Sequence, residues 1–337
     1  MAGYQTYEIE NLTLQRGITL PRAHIAYQTY GKLNDDKTNA ILYPTSYGAQ
    51  HFDTEWLIGP GKVLDPDQWF ILIPNMFTNG LSTSPSNMTA PFGADRYPAF
   101  THWDNVHAQR QLLSDVFGIE KLALIYGWSM GAQQALHWGS LFPDQVERIC
   151  AVCGSARTSV HNNVFLQGVR SALTCDPNWR GDHFAAHPVR GLRAMGRIYA
   201  GWALSQAFYR EKLYEQVGFS SLEDFLVRSW EANFLRRDAH DLLASMDTWL
   251  TSDISDNDVH QGDLSLALGA ITARSVIMPS RTDLYFTPED SETETAQMPN
   301  ARFQPIESIW GHRAGNPVQN ADDEAVLRKA VADLLAE

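Results

Sequence analysis

Cysteine is scarce in this chain: Cys150, Cys153 and Cys175 are the three among 337 residues. An odd count at that density does not suggest a disulfide framework. Cys150 and Cys153 have redox or metal spacing, but no second Cys or His pair completes a zinc site. They lie in an apolar run, "ERICAVCGSA", that reads as a buried strand, so packing is their expected role. Basic charge is also short, with 26 Lys and Arg against 39 Asp and Glu and a formal net charge of −13. That balance argues against a nucleic-acid or anionic-membrane surface, both of which call for basic patches. No stretch approaches the ~20 apolar residues that span a bilayer. The start, "MAGYQTYEIENL", lacks a basic segment followed by an apolar one, so a cytoplasmic protein is expected. Internal repeats and low-complexity tracts are missing as well. "GPG" at 59–61 is not a Gly-x-Gly-x-x-Gly fingerprint, so neither a dinucleotide nor any other cofactor is expected.

What is present is an ordinary globular composition, 44% hydrophobic and 19% charged, on a chain long enough for a large core. Over the first half, short apolar runs alternate with helical spacing. "AILYPTSYG", "WFILIPNMF", "KLALIYG" and "RICAVCGSA" read as strands. "HWDNVHAQRQLLSDVFG" and "MGAQQALHWGSLFP" read as helices, the first stopping at Gly118 and the second at Pro143. Strand–helix alternation means βαβ units and a parallel sheet, hence an α/β fold. Residues 161–268 are then mostly helical and rich in Arg, Trp, Tyr and Phe. Strand signal returns at "ARSVIMPSRTDLY" and "ARFQPIESIWGH", and "NADDEAVLRKAVADLLAE" closes the chain as a helix. The economical reading is one α/β core made of residues 1–160 and 269–337, interrupted by a helical insertion.

The stretch "IYGWSMGAQQAL" places Ser129 between Gly127 and Gly131. A strand directly before and a helix directly after make this a candidate nucleophile elbow, which presents Ser Oγ at the sheet edge and aims a helix N-terminus at developing negative charge. The bland alternative is a helix-capping serine in a tight turn. A nucleophilic serine needs a base, and the base an orienting carboxylate, here in the chain order Ser, acid, His. Asp283 in "IMPSRTDLYF" and His312 in "ESIWGHRAG" both follow strands, where loops carry catalytic groups. His137 reads as a helix-packing residue, and His161, His183, His187, His240 and His260 fall in the insertion without a strand end to place them. Acyl transfer also needs an oxyanion hole. Its donors are expected to be the Met130 amide and an amide after "AILYPTSYG", from Ser46 or alternatively Tyr47. Phe77, Trp128 and Trp230 are candidate wall residues, each with core packing as the competing role.

With those residues in place, the chain resembles the homoserine O-acetyltransferase family, a branch of the α/β-hydrolase fold. The likeness runs through "LIGPGKVLDPDQWFILIPNMF", "GWSMGAQQAL", "NNVFLQGVRSALTCDPNWRGD" and "WGHRAGNP". It implies triad roles for Ser129, Asp283 and His312, a helical lid formed by 161–268 over an acyl tunnel, and a homodimer through that lid. Two departures stand out. The transferases carry a Gly- and Ser-rich motif ending Gly-Pro-x-Ser where this chain has "NMFTNGLSTSPSN". They also place an aspartate after the histidine, to meet an ammonium group, where this chain has Arg313. A cation there repels an ammonium. Arg170 matches the family's carboxylate-binding arginine, and either keeps that role or pairs with a lid acid. The resemblance therefore implies the hydrolytic branch: an esterase acting on short acetyl or propionyl esters, with Tyr47, Trp128, Arg170 and Arg313 near the substrate. The alternative is a CoA-dependent O-acyltransferase that uses homoserine or another hydroxyl. A non-catalytic scaffold is a third reading, disfavoured by the ordered serine, acid and histidine.

Overall fold

The apolar runs line up in a single eight-stranded sheet in the computed structural model, which describes residues 3–93 and 96–337. The strands are β1 (Gln5–Thr13), β2 (Thr19–Tyr30), β3 (Ala40–Leu42), β4 (Phe70–Pro74), β5 (Leu124–Trp128), β6 (Arg148–Val152), β7 (Arg274–Met278) and β8 (Ala301–Phe303). Their spatial order is β1-β2-β4-β3-β5-β6-β7-β8. The six strands from β4 to β8 pair in parallel. The outer pair, β1 and β2, is antiparallel, and β2 joins β4 antiparallel. This N-terminal hairpin was not among the expected strands. Its alternation is half polar, with Ile9 the one fully buried residue of β1, because one face meets solvent. The central strands instead read as continuous apolar runs: all five residues of "FILIP" in β4 are buried. Each such Ile or Leu contributes about 1.5–3 kcal/mol by leaving water.

The helices that flank the sheet begin with α1 (His102–Leu112) and α2 (Met130–Leu141). Thr101 starts α1 with a capping box: its hydroxyl accepts from the Asp104 amide, and the Asp104 carboxylate accepts from the Thr101 amide. The chain runs on through one wider turn and stops at Gly118, whose φ of +60° is the left-handed C′ conformation. Between β6 and β7 lie α3 (Val160–Thr174), α4 (Val189–Ala203), α5 (Gln206–Arg210), α6 (Leu213–Gln216), α7 (Leu222–Phe225), α8 (Ala232–Leu235), α9 (Ala239–Leu250) and α10 (Leu264–Gly269). α11 (Pro288–Thr295) and α12 (Ala321–Ala336) complete the chain.

Two apolar clusters cover the faces of the sheet. A third lies mainly within the helical segment and is dominated by aromatics, with Phe165 stacked on Tyr285 at 4.9 Å and Trp249 on Phe286 at 5.4 Å. Phe77 belongs to the core and not to a substrate wall: it is fully buried, with its ring 4.6 Å from that of Phe100. Among the described residues no helix is long and apolar enough to cross a membrane.

Candidate active site

β5 delivers Ser129 in a backbone conformation that L-residues rarely adopt, φ +59° and ψ −127°. Such strain costs about 1–3 kcal/mol and persists only where the surroundings over-determine it. Here the Ser129 amide donates to Val152 O at 2.9 Å, and the Ser129 carbonyl accepts from the Ala132 and Gln133 amides. The two flanking glycines are steric necessities. A Cβ on Gly127 would sit 2.2 Å from Gly131 O, and one on Gly131 would sit 2.6 Å from Pro44 O. Ser129 makes no side-chain capping bond to α2, which removes the helix-cap reading of this serine.

The acid and the histidine come from two neighbouring turns at the same sheet edge. Asp283 is buried on the turn after β7, and its Oδ1 accepts from the Tyr285 and Phe286 amides, both at 3.1 Å. Its Oδ2 lies 2.7 Å from His312 Nδ1. That bond leaves Nε2 of His312 as the nitrogen able to accept a proton. Thr282 ties the two turns together: its hydroxyl donates to Ser308 O at 2.9 Å and accepts from the Gly311 amide at 3.0 Å. The imidazole is gripped by aromatic rings, Tyr285 at 4.5 Å, Trp128 at 5.0 Å and Phe286 at 5.6 Å. Gly311 is required by its φ of +58° and by the approach of α4, since a Cβ would lie 2.8 Å from Ala203 O.

Ser129, His312, Ser46, Tyr47, Trp128, Trp230 and Arg313 line one cavity of about 100 Å³ beneath the helical segment. A cavity of about 150 Å³ admits benzene, so this one suits a few heavy atoms. Among the described residues no hydrogen bond joins Ser129 Oγ to His312, which is common before substrate is bound. The amides of Ser46, Tyr47 and Met130 have no protein acceptor among the described residues, which leaves all three available to an oxyanion. Ser46 Oγ donates to the Trp128 carbonyl and accepts weakly, at 3.4 Å, from the Gly131 amide, binding its loop to the elbow. Tyr47 donates to Leu242 O at 3.0 Å and stacks on Tyr199.

Of the two roles open to Arg170, substrate carboxylate or an acid of the helical segment, the structure shows the second. Arg170 does not reach this cavity; its guanidinium is paired with Asp247 of α9, so its charge is already spent within the helical segment. Tyr199, Asn233, Phe234, Arg237, Leu242 and Tyr285 line the cavity without having been anticipated. Only Tyr285 carried a sequence signal, two residues beyond Asp283; the others sit on helices whose inward faces are set by tertiary packing. The competing histidine His137 is buried mid-helix, bonded to Gln133 O at 2.8 Å and held down to about 4 by burial.

Cys153 Sγ lies with the Asp283 carboxylate and a His312 ring nitrogen in a group whose ligand atoms are all within 4.8 Å, a spacing that could hold a metal ion. Ligation needs a thiolate, and burial together with the nearby Asp283 charge pushes the Cys153 thiol well above its ordinary value. The donor set therefore fits a protonated thiol packed behind a His–Asp pair better than it fits a resident cation. Cys150, three residues earlier within β6, is pushed up to about 12 by burial, in keeping with packing.

Known proteins are similar to this chain in sequence and in fold. Residues 59–307 match the model of the alpha/beta hydrolase fold. The chain belongs to the α/β-hydrolase family. This hydrolase is 35% identical over 312 residues to the ethyl acetate hydrolase of Pseudomonas veronii, covering 92% of this chain and 89% of that one. It is 31% identical over 368 residues to the homoserine O-acetyltransferase of Methanococcus vannielii, covering 99% of this chain and 73% of that one. The solved acetyl esterase MekB superposes with a TM-score of 0.96 at 34% identity, over 100% of this chain and 97% of that one.

Proposed function

We propose that this α/β-hydrolase is a serine carboxylesterase that hydrolyses short acetyl or propionyl esters through an acyl-enzyme on Ser129. The observation that carries the reading is the strained Ser129 elbow opening, together with the Asp283-bound His312, on a cavity of about 100 Å³. His312 Nε2 takes the Ser129 proton as Oγ attacks the ester carbonyl, and the oxyanion is met by the Met130 amide and that of Ser46 or Tyr47. The C–O bond breaks and the alcohol leaves with the proton from His312. Water then attacks the acyl-enzyme, losing its proton to the same nitrogen, and the acid and free Ser129 are regenerated. Asp283 holds the imidazole in the required tautomer through its bond to Nδ1. Helices of residues 161–268 serve as the lid that keeps the site small and dry, the remainder forming the catalytic core. The likeness to ethyl acetate hydrolase and to the acetyl esterase supports a short acetyl ester as the class of substrate.

Transfer to a hydroxyl acceptor is the second reading, favoured by the 31% identity to a homoserine O-acetyltransferase. Against it, the cavity is lined by Arg313 and Arg237 and, among the described residues, by no carboxylate that could meet an ammonium group. The deciding experiment supplies ethyl acetate with and without excess L-homoserine, beside Ser129→Ala. Acetate alone, lost in the variant, is the expected result; O-acetylhomoserine formed at the expense of acetate would establish transfer. The exposed Val160 and Val164 on the first lid helix, 85% and 61% accessible, support a homodimer through the lid, which sedimentation analysis would test. An exposed free thiol at Cys175 supports a reducing, cytoplasmic setting.

A further inference from the structure

Two arginines, Arg237 and Arg313, line the catalytic cavity. Arg237 pairs at 2.9 Å with Asp53, which Arg236 also meets at 3.2 Å, and Arg170, outside the cavity, pairs with Asp247. Arg313 differs. It lines the cavity that holds Ser129, and it also lines the adjoining apolar cavity of about 230 Å³, so it stands in the partition between the two. Among the described residues no carboxylate lies within 4.0 Å of its guanidinium, and its side chain makes no hydrogen bond. Trp230 stands in the same partition, 6% exposed, and its indole N–H is buried with no acceptor. The Trp230 N–H is thus a buried donor without an acceptor and the half-buried guanidinium a cation without a counter-ion, and a bound carboxylate would serve both.

We propose that Arg313 and the Trp230 indole N–H form an anion-recognition site that selects short acyl esters whose alcohol part carries a carboxylate, that is, acylated hydroxy acids. This rests on the esterase reading and narrows its substrate class. The carboxylate belongs to the alcohol side because His312 hands its proton to the leaving alkoxide, and Arg313 is the next residue on the same Gly311–Gly315 turn. A carboxylate suits the planar guanidinium fork bidentately. Chemistry at the ester is unchanged: water gives its hydroxyl to the acyl carbon, a proton reaches the alkoxide, and the carboxylate passes through intact. The same cation turns away alcohols bearing an ammonium.

The test compares O-acetylglycolate with its neutral isostere O-acetylglycolamide at pH 7.5, using the native protein, Arg313→Gln, Arg313→Lys and Ser129→Ala. The native ratio of kcat/KM, acid over amide, is expected to be about 10 or more. It should fall at least about tenfold in Arg313→Gln, a change of about 1.4 kcal/mol, chiefly through KM for the acid, with Arg313→Lys in between. Free glycolate should inhibit the native protein competitively and glycolamide should not, a measurement that holds even if Arg313→Gln fails to fold. A native ratio at or below one, an Arg313→Gln ratio within about twofold of native, or inorganic phosphate inhibiting more strongly than glycolate would overturn the proposal. Ser129-dependent turnover of the amide in that case leaves the esterase reading standing. Turnover of neither ester, or equal turnover in Ser129→Ala, would overturn the esterase reading and this one with it.

Discussion

The sheet edge and the helical segment above it are built on different physics. At the sheet edge, Ser129, Asp283 and His312 are placed by backbone geometry: positive φ at Ser129 and Gly311, close approaches at Gly127 and Gly131, and amides donated to Asp283 Oδ1. Above it, the helices are held by side chains, through the Phe165, Tyr199, Trp249 and Tyr285 rings and through ion pairs such as the two that Arg193 and Arg197 make with buried Glu231. Backbone placement tolerates almost no added volume, because the contacts are between main-chain atoms that cannot rotate away. Side-chain placement tolerates rearrangement, because rings and guanidiniums can change rotamer.

Breaking the edge should have the largest effect. Ser129→Ala is expected to lower kcat/KM for a short acetyl ester by about 10⁴-fold or more, with a melting temperature at or above that of the native protein. Gly127→Ala forces a Cβ to 2.2 Å from Gly131 O and should cost about 3 kcal/mol and most of the activity together, read by denaturant titration and ester turnover. The helical segment should respond in stability first. Glu231→Ala leaves two guanidiniums without their shared carboxylate, at a cost of about 2 kcal/mol, moderated because both arginines are half exposed. Its kcat should fall less than about threefold; an equal loss of kcat would show that the helical segment positions the chemistry as tightly as the sheet does.

Asp241, where α9 meets the loop after β4, sharpens the comparison with pH. Its carboxylate accepts from Ser86 N at 2.9 Å and Ser86 Oγ at 2.6 Å, yet burial raises it to about 6. The unfolded group titrates near 4. Between those values the folded protein binds the extra proton, so this group favours the folded state at low pH and loses that contribution as pH rises through about 6. Asp241→Asn should flatten the fall in stability between about pH 4 and 6 by an amount on the order of 2 kcal/mol, measured as melting temperature against pH. The smallest effect belongs to Arg170→Gln. Its ion pair with Asp247 is partly exposed, so stability should change by less than about 1 kcal/mol and ester turnover hardly at all. A large rise in KM would return Arg170 to the substrate.

The sequence by itself determined the parallel strands, the elbow around Ser129 and the order of the acid and histidine. Those signals are local: continuous apolar runs, two glycines at fixed spacing, and strand ends followed by loops. It left the N-terminal hairpin unread, because the half-polar alternation of β1 and β2 is weaker than a buried strand's run and becomes decisive only when β2 pairs with β4. Phe77 and Trp230 looked alike as candidate wall aromatics, yet one is core and the other borders the cavity, a difference of facing that periodicity does not encode. The same holds for the arginines. Arg170 and Arg313 are equal charges in the sequence. Only the tertiary structure brings Asp247 to one and leaves the other beside Ser129 unpaired, because electrostatic pairing depends on distances between residues far apart in the chain.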